Sequence, residues 1–425
     1  MENNDINVRE IVLDMLLEVQ KEQTHSHVLL KNVLDKYAYI KESDRAFIKR
    51  LFEGTLERMI TIDYMINRFS NTPVNKMKPL IRCLMRMSVY QIVYMDRVPD
   101  SAAINEAVKL AKKRKFVNLS GFVNGVLRNI SRNKEGLPGT EDMGIVYSCP
   151  EIIVDSLTAD YGYEKAGEIL AASMTDRQLF VRVREDISEA ERMSIFEDWR
   201  AAGIEADQSG VCACAYAVSG NTDMLTRQKS FEAGLYTIQD ESAQLAVELA
   251  GIRPGMRVLD ICAAPGGKAL QAAGKGAYVE ARDVSDAKVS LIEDNAKRLG
   301  LDINTKVWDA TVFDEASVEG YELVIADLPC SGFGVMGKKP DIKQGVTKEG
   351  LDSLKGLQRS ILDNALRYVK RGGTLMYSTC TLRKAENEEQ TAYILGSGLY
   401  ELIEERTIFN AGHDGFYIAK FKRND

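Results

Sequence analysis

From about residue 234 onward, short apolar runs typical of buried strands alternate with longer segments of helical periodicity. Strands are predicted at 257–262, 277–282, 304–308, 322–327 and 373–378. Helices are predicted between them at 240–251, 267–274, 285–299 and 351–370. This alternation predicts an α/β domain with a doubly wound parallel sheet. Because ligands of such folds bind beyond the carboxyl ends of the strands, the residues that follow the strands are candidates for a functional site.

The first part of the chain, residues 1–138, predicts an all-α domain. Asn7 precedes a run of helical periodicity and has Glu10 three residues later, which is the pattern of a capped helix start. Further helices are predicted at about 43–54, 57–69, 76–94, 101–112 and 118–132. The stretch 133–140, NKEGLPGT, has the composition of a linker and ends this domain.

Residues 139–233 predict a small α+β module. Its helices are expected at 151–171 and 188–202, and its strands at 179–184 and 211–218. Cys212 and Cys214 are expected within the last strand. A chain of 425 residues is too long for one ordinary core, so we predict three domains, at 1–138, 139–233 and 234–425.

The charge of the chain limits how it could bind nucleic acid. A net charge of −7 argues against a protein that coats nucleic acid indiscriminately, so any RNA site must be a local basic patch. One candidate patch contains nine basic residues against Asp100 and Glu106; a solvated helix face is the alternative explanation. The nine are Arg97, Lys109, Lys112, Lys113, Arg114, Lys115, Arg128, Arg132 and Lys134.

Several classes of protein are disfavoured by composition. No apolar run approaches the roughly 20 residues needed to cross a bilayer, so we expect no membrane partner. The N-terminal residues 1–5 are acidic where a secretory signal would be basic, which favours a cytoplasmic protein with seven unbridged cysteines. Three histidines and no CxxC pair argue against a metal site. A monomer is the default expectation.

The segment 258–268, VLDICAAPGGK, joins the first predicted strand of the α/β domain to a helix. Gly266 and Gly267 allow a ligand to approach the backbone closely, although a glycine pair alone also fits a plain tight turn. Asp283 and Asp309 end the next two strands, where nucleoside hydroxyls are held in dinucleotide folds. Neither G-x-G-x-x-G nor the P-loop pattern is present, so the combination favours a nucleoside cofactor over a dinucleotide or nucleoside triphosphate.

Two cysteines follow strands of the same predicted sheet. Cys330 lies in ADLPCSG (326–332), and Cys380 lies in YSTCTL (377–382). A single cysteine at a strand end is usually a small apolar residue. Two of them, each beside Ser or Thr and one of them three residues after Asp327, favour a catalytic pair instead.

These motifs resemble those of RNA (cytosine-C5)-methyltransferases, and AAPGGK resembles the cofactor loop of that family. The resemblance covers about 234–425 and implies a Rossmann-like class I fold that binds S-adenosyl-L-methionine. The N-terminal segments 99–108 (PDSAAINEAV) and 122–128 (FVNGVLR) resemble a NusB-like RNA-binding domain. Together they resemble the Sun/Fmu (RsmB) type of 16S rRNA methyltransferase, which implies a cytosine of the cytosine-967 type as the target.

The resemblance also implies a role for each site residue. Cys380 would be the nucleophile that adds to C6 of the base, and Cys330 would act in product release. Asp327 would stabilise charge at N3 of the base, and Lys268 would contact the base or its phosphate. Cofactor binding is implied for Cys262, Ala263, Ala264, Pro265, Gly266, Gly267, Lys268, Asp283, Asp309 and Asp327.

Other segments match the family in part. The stretch 338–343 (KKPDIK) resembles a basic loop that passes near the RNA, and 387–389 (NEE) resembles a run that supports the site. Ala269, Gln344 and the stretch 182–185 (RVRE) depart from the family pattern, which puts in doubt the RNA contacts of the middle module.

Three functions remain open from the sequence. The first is methylation of 16S rRNA, either naked or in an early assembly intermediate. The second is the same reaction on tRNA. The third is a non-catalytic RNA-binding or antitermination-like factor, which the presence of both cysteines, Asp327 and Lys268 disfavours.

Overall fold

The computed structural model describes residues 6–22, 26–137, 139–175, 178–409 and 413–425. The chain forms two compact units, which we call the helical unit (Met1–Met174 with Met336–Val346) and the sheet unit (Thr175–Val335 with Thr347–Asp425). The division into three domains after residues 138 and 233 stays a prediction. No helix in the described ranges is long and apolar enough to cross a membrane.

The helical unit contains ten α-helices among its described residues. They are α1 (Val8–Glu22), α2 (Ser26–Lys36), α3 (Glu42–Glu57), α4 (Met59–Phe69), α5 (Pro79–Tyr94), α6 (Asp100–Lys113), α7 (Ser120–Arg132), α8 (Met143–Val146), α9 (Glu151–Tyr161) and α10 (Tyr163–Ser173). Helix α5 is central, because most of its side chains are buried and it packs against α1, α3, α4, α6 and α7. The all-α prediction for this part of the chain is confirmed.

Local signals explain where these helices begin and end. Asn7 caps α1 as predicted, since its Oδ1 accepts hydrogen bonds from the backbone N–H groups of Arg9 and Glu10, both at 3.1 Å. The single helix predicted at 151–171 is wrong: Gly162 adopts φ +80° and separates α9 from α10. Helix α2 was not predicted, although its apolar residues at 29, 30, 33 and 34 have helical spacing.

The sheet unit contains eleven strands and seven helices among its described residues. The strands are β1 (Leu179–Val183), β2 (Ile204–Gln208), β3 (Ala215–Gly220), β4 (Tyr236–Ile238), β5 (Arg257–Asp260), β6 (Tyr278–Asp283), β7 (Asn304–Val307), β8 (Tyr321–Asp327), β9 (Val369–Thr379), β10 (Tyr400–Ile408) and β11 (Phe416–Arg423). The helices are α11 (Glu189–Ala201), α12 (Lys229–Glu232), α13 (Glu241–Ala250), α14 (Gly267–Gly274), α15 (Asp286–Leu299), α16 (Lys348–Tyr368) and α17 (Glu388–Gly396).

Strands β1 to β4 form an antiparallel sheet in the order β2-β3-β1-β4. The strand predicted at 211–218 is wrong in part, because the observed strand β3 begins at Ala215 and not at residue 211. Cys212 and Cys214 precede it in a turn, closed by a hydrogen bond from Ala215 N to Cys212 O at 3.0 Å. Strands β2 and β4, which are short and lack a long alternating pattern, were not predicted.

The large sheet has the order β10-β11-β9-β8-β5-β6-β7. Five neighbouring strands, β9, β8, β5, β6 and β7, are parallel as predicted. Strand β11 pairs antiparallel with β9, and β10 pairs antiparallel with β11, so the sheet is mixed. Strands β10 and β11 are antiparallel neighbours separated by only seven residues in the sequence (409–415), too few for the crossover that a parallel neighbour needs. The sheet and its flanking helices confirm the predicted Rossmann-like architecture.

Candidate active site

The candidate residues lie at one edge of the large sheet, where three central parallel strands end. Asp260 of β5 pairs with Ile325 of β8, and Asp327 of β8 pairs with Ser378 of β9. This register brings the loops after β5, β8 and β9 to the same edge. Strand register therefore gathers residues that are more than 100 positions apart in the sequence.

The two cysteines are in direct contact. The Sγ atoms of Cys330 and Cys380 lie 3.4 Å apart, and both side chains are half-buried. The hydrogen bond with Cys380, together with burial, raises the pKa of the Cys330 thiol well above its ordinary value. Cys330 is therefore a neutral thiol near neutral pH, with its S–H group available to the neighbouring sulfur.

Lys268 and Asp327 form an ion pair next to the cysteines. Lys268 Nζ lies 2.7 Å from Asp327 Oδ2, and Ser378 Oγ donates a hydrogen bond to Asp327 Oδ1 at 2.7 Å. Burial lowers the pKa of Lys268, but the charge and hydrogen bond of Asp327 outweigh it, so the net pKa is raised and the ammonium stays charged. Lys268 Nζ also lies 5.3 Å from the centroid of the Phe416 ring. The result is a fixed charged pair with about a third of the Asp327 side chain exposed.

The loop between β5 and α14 is held against β6. Asp283 Oδ2 accepts a hydrogen bond from Ala264 N at 3.0 Å, and Asn295 Nδ2 donates to Pro265 O at 3.0 Å. Gly266 adopts φ +105°, and a Cβ atom there would lie 2.9 Å from Leu270 Cδ1. Only glycine fits this position without displacing a neighbour. The loop thus presents its backbone at the N-terminus of α14.

A buried carboxylate lies beneath this loop. Asp260 is 1% exposed, and its Oδ1 has no hydrogen-bond partner among the described residues. Burial raises its pKa to about 7. An unsatisfied buried acceptor beside a backbone loop fits a ligand that carries an ammonium group and nucleoside hydroxyls, as S-adenosylmethionine does.

Two predicted cofactor residues differ from the rest in their surroundings. Asp309 is exposed and lies two residues after β7, where it accepts hydrogen bonds from Thr311 N at 2.9 Å and Thr311 Oγ1 at 2.7 Å. Cys262 is half-buried, and burial raises the pKa of its thiol. The Asp309 carboxylate is therefore hydrogen-bonded within its own tight turn. The Cys262 thiol stays protonated within the cofactor loop.

A buried polar network supports the two cysteine loops, and most of it was not predicted. Asn387, which the family resemblance had indicated, accepts a hydrogen bond from Thr379 Oγ1 at 2.6 Å and donates to Thr381 O at 3.0 Å. The other supporting residues are Glu386, Gln358 and Ser331. Glu386 lies in the polar run 383–389 (RKAENEE), which is also typical of an exposed turn. No sequence pattern therefore distinguished these buried residues from exposed ones.

The basic loop 338–343 is partly buried within the helical unit. Lys343 is 6% exposed and its Nζ donates to Tyr147 O at 3.2 Å, while Asp341 Oδ2 accepts from Ser26 N at 2.8 Å. Lys343 therefore anchors the loop, which leaves Lys338 and Lys339 as its exposed basic side chains. Across the described ranges, no group of three or more His, Cys, Asp or Glu side chains could hold a metal ion.

Comparisons with known proteins match both parts of the chain. Residues 6–132 match the NusB family, and residues 248–411 match the 16S rRNA methyltransferase RsmB/F family. The "Probable ribosomal RNA small subunit methyltransferase B" of Bacillus subtilis is 37% identical over 90% of this chain and 87% of that protein. The "Ribosomal RNA small subunit methyltransferase B" of Escherichia coli is 31% identical over 90% of this chain and 91% of that protein. The solved structure of PH0851 has the same fold, with a TM-score of 0.80 at 20% identity over 99% of this chain and 100% of that one.

Proposed function

Because this chain belongs to the RsmB/F family of S-adenosylmethionine-dependent 16S rRNA methyltransferases, we propose that it methylates C5 of one cytosine in 16S rRNA through a covalent adduct with Cys380. The observation that carries the proposal is the contact between two thiols, 3.4 Å apart, beside a lysine–aspartate pair. Carbon 5 of cytosine is a weak nucleophile, so a thiolate must first add to C6. A second group must later remove the C5 proton. The pair of thiols matches these two requirements.

In the first step Cys380 adds to C6 of the cytosine. Its thiolate sulfur forms the C–S bond, and the electron pair of the C5–C6 double bond moves into the ring. C5 becomes the nucleophilic carbon of an enamine, and negative charge develops toward N3. A proton must reach N3 to neutralise this charge. Asp327, held by Lys268 and Ser378, is the carboxyl group that would pass it, and the Lys268 ammonium balances the carboxylate that remains. The cytosine must leave its stack to reach these groups.

The cofactor residues surround the loop at the start of α14. When bound, S-adenosylmethionine supplies the methyl group that C5 accepts. The loop backbone from Cys262 to Lys268 and the carboxylate of Asp283 would hold it, with the unsatisfied Oδ1 of Asp260 as a buried acceptor. The carboxylate of Asp309, in the turn after β7, would also contact the cofactor.

In the last step Cys330 removes the C5 proton. Once Cys380 is bonded to carbon, the largest of the interactions that raise the pKa of Cys330 is lost. The pKa of Cys330 therefore falls, although burial and the charge of Glu386 remain, and its proton passes to solvent. The Cys330 thiolate then takes the C5 proton, and the C5–H electron pair restores the C5–C6 double bond. The bond from C6 to Cys380 breaks, and Cys380 leaves as a thiolate.

The helical unit offers a cationic surface for the rRNA. Of the nine basic residues between 97 and 134, four pair with carboxylates in the helical unit: Lys109, Lys113, Arg114 and Lys134. The other five have no carboxylate within 4 Å among the described residues: Arg97, Lys112, Lys115, Arg128 and Arg132. Arg128 and Arg132 lie one turn apart on the exposed face of α7. These two arginines, exposed on one helix face and without a carboxylate partner among the described residues, fit the phosphates of an RNA helix.

Replacing both Arg128 and Arg132 with Gln should weaken binding of protein-free 16S rRNA, because each arginine is expected to neutralise one phosphate. The slope of log K against log salt should become shallower by roughly 0.7 to 0.9 for each phosphate that is no longer neutralised. Fluorescence anisotropy with a labelled rRNA fragment at several salt concentrations measures this slope. Lys109→Gln is the matched control, because Lys109 is ion-paired with Glu106 at 2.8 Å. An unchanged slope in the double variant would remove α7 from the RNA surface.

The reaction itself is tested by incubating the purified chain with labelled S-adenosylmethionine and 16S rRNA, followed by nucleoside analysis. We expect label in 5-methylcytidine at one position of the rRNA. Label in tRNA but not in rRNA would favour the alternative substrate. No label on naked rRNA, on an early assembly intermediate or on tRNA would favour the non-catalytic RNA-binding factor.

A further inference from the structure

Glu386 is a fully buried carboxylate between the two cysteine loops. It is 0% exposed and lies six residues after Cys380. Its Oε2 accepts hydrogen bonds from Ser331 N at 2.8 Å and from Gln358 Nε2 at 3.1 Å. Its Oε1 lies 3.4 Å from Arg383 Nη1, so the nearest cation makes only a long contact. A buried carboxylate with so weak an ion pair is costly and needs a reason.

The hydrogen bonds of Glu386 hold the residues that flank Cys330. Ser331 follows Cys330 and binds Glu386 directly, while Pro329 precedes it and its O accepts a hydrogen bond from Gln358 Nε2 at 2.9 Å. Gln358 is also 0% exposed and links Pro329 to Glu386. Both sides of Cys330 are thus fixed through one buried carboxylate.

The next residue in the sequence does the same for the other cysteine. Asn387 binds Thr379 and Thr381, which flank Cys380. The two loops are also joined directly, since Ser331 Oγ and Thr381 Oγ1 lie 2.8 Å apart and Gly334 N donates to Cys380 O at 3.1 Å. Adjacent residues, Glu386 and Asn387, therefore clamp the two thiols at their contact distance.

We propose that Glu386 is a positioning residue that holds the Cys330 loop against the Cys380 loop, so that the two thiols stay at their contact distance. The proposal rests on the function proposed above, and it assigns a role to a residue that does not touch the substrate. The negative charge of Glu386 contributes to the raised pKa of Cys330. A neutral amide could form the same hydrogen bonds at a lower desolvation cost, so the hydrogen bonds of the carboxylate and its charge can be tested separately.

Two substitutions separate the hydrogen bonds from the charge. In Glu386→Gln the amide oxygen can still accept from Ser331 N and Gln358 Nε2, while the negative charge is removed. In Glu386→Ala both the hydrogen bonds and the charge are removed. Asp363→Asn on α16 is the matched control, because Asp363 is an exposed carboxylate that accepts a hydrogen bond from the Tyr393 hydroxyl.

The readout is the rate at which iodoacetamide alkylates Cys330 in the full-length chain, followed by peptide mass spectrometry from pH 6 to pH 11. Glu386→Gln should move the midpoint for Cys330 alkylation to lower pH by roughly half a unit to one unit. Asp363→Asn should leave it unchanged. An unchanged midpoint in Glu386→Gln, or an equal shift in Asp363→Asn, would overturn the role of the charge.

Turnover tests the positioning part of the proposal. Glu386→Ala should lower kcat by roughly tenfold to a hundredfold with an unchanged KM for rRNA, because the thiols lose their alignment but the RNA surface is intact. Glu386→Gln should retain most of kcat at a pH where Cys330 stays protonated. A raised KM with normal kcat would contradict positioning. Since alkylation needs neither RNA nor cofactor, it still tests Glu386 if no cytosine is methylated.

Discussion

Cys380→Ala is expected to abolish methylation of 16S rRNA while S-adenosylmethionine still binds. Without the sulfur at this position, C6 of the cytosine has no nucleophile and C5 does not become reactive. The loss of kcat should be on the order of 10⁵-fold, as for removal of other covalent nucleophiles. Incorporation of a labelled methyl group into 5-methylcytidine measures the loss, and isothermal titration calorimetry measures cofactor binding. Cofactor binding should be retained because the loop before α14 is held by Asp283 and Asn295.

A second thiol variant separates chemistry from folding. Cys83→Ala removes a buried thiol of the helical unit, where Cys83 Sγ lies 3.2 Å from the side-chain amide of Gln20. It should leave turnover within about twofold of the parent, because no step of the proposed reaction involves that thiol. Turnover of Cys380→Ala close to the parent enzyme would move the nucleophile to another residue.

Much of the fold could be predicted because its signals are local. Buried parallel strands are short apolar runs, and their ends are marked by Asp260, Asp283 and Asp327, so the edge that carries the site was readable from the sequence. The break at Gly162 and the turn before β3 could not be predicted. A glycine or a cysteine within an otherwise continuous pattern is compatible both with a continuous element and with an interrupted one. Strand β10 was also missed, because it lies at the edge of the sheet and most of its residues are exposed, so it lacks the apolar run of a buried strand.

The supporting residues of the site could not be predicted for a different reason. Glu386, Gln358 and Lys343 are charged or polar residues in polar surroundings of the sequence, so their most common environment is solvent. Each is buried only because a distant segment supplies its partner: Ser331 for Glu386, Pro329 for Gln358 and Tyr147 for Lys343. Such pairings depend on tertiary contacts across 29 to 196 residues, which no local pattern encodes.

Cys330→Ala is expected to convert the enzyme into one that traps its own substrate. Cys380 can still add to C6 and C5 can still be methylated, but the Cys330 sulfur, which lies 3.4 Å from Cys380 Sγ in the parent chain, is no longer there to remove the C5 proton. Without that proton transfer the bond between C6 and Cys380 cannot break. Protein and rRNA should therefore stay covalently joined, in close to stoichiometric amounts, and migrate together in denaturing gel electrophoresis.

The order of the two sulfurs in the reaction can be read from the pair of variants and their combination. Cys330→Ala should form the adduct, and Cys330→Ala with Cys380→Ala should not, because the adduct requires the Cys380 sulfur. If the adduct instead formed in Cys380→Ala, the two roles would be reversed. That reversal would conflict with the site, where the Cys380 hydrogen bond, burial and the charge of Glu386 all act to keep the proton on Cys330 by raising its pKa. A neutral thiol is a poor nucleophile, so the same interactions that assign Cys330 to the release step assign the attack to Cys380.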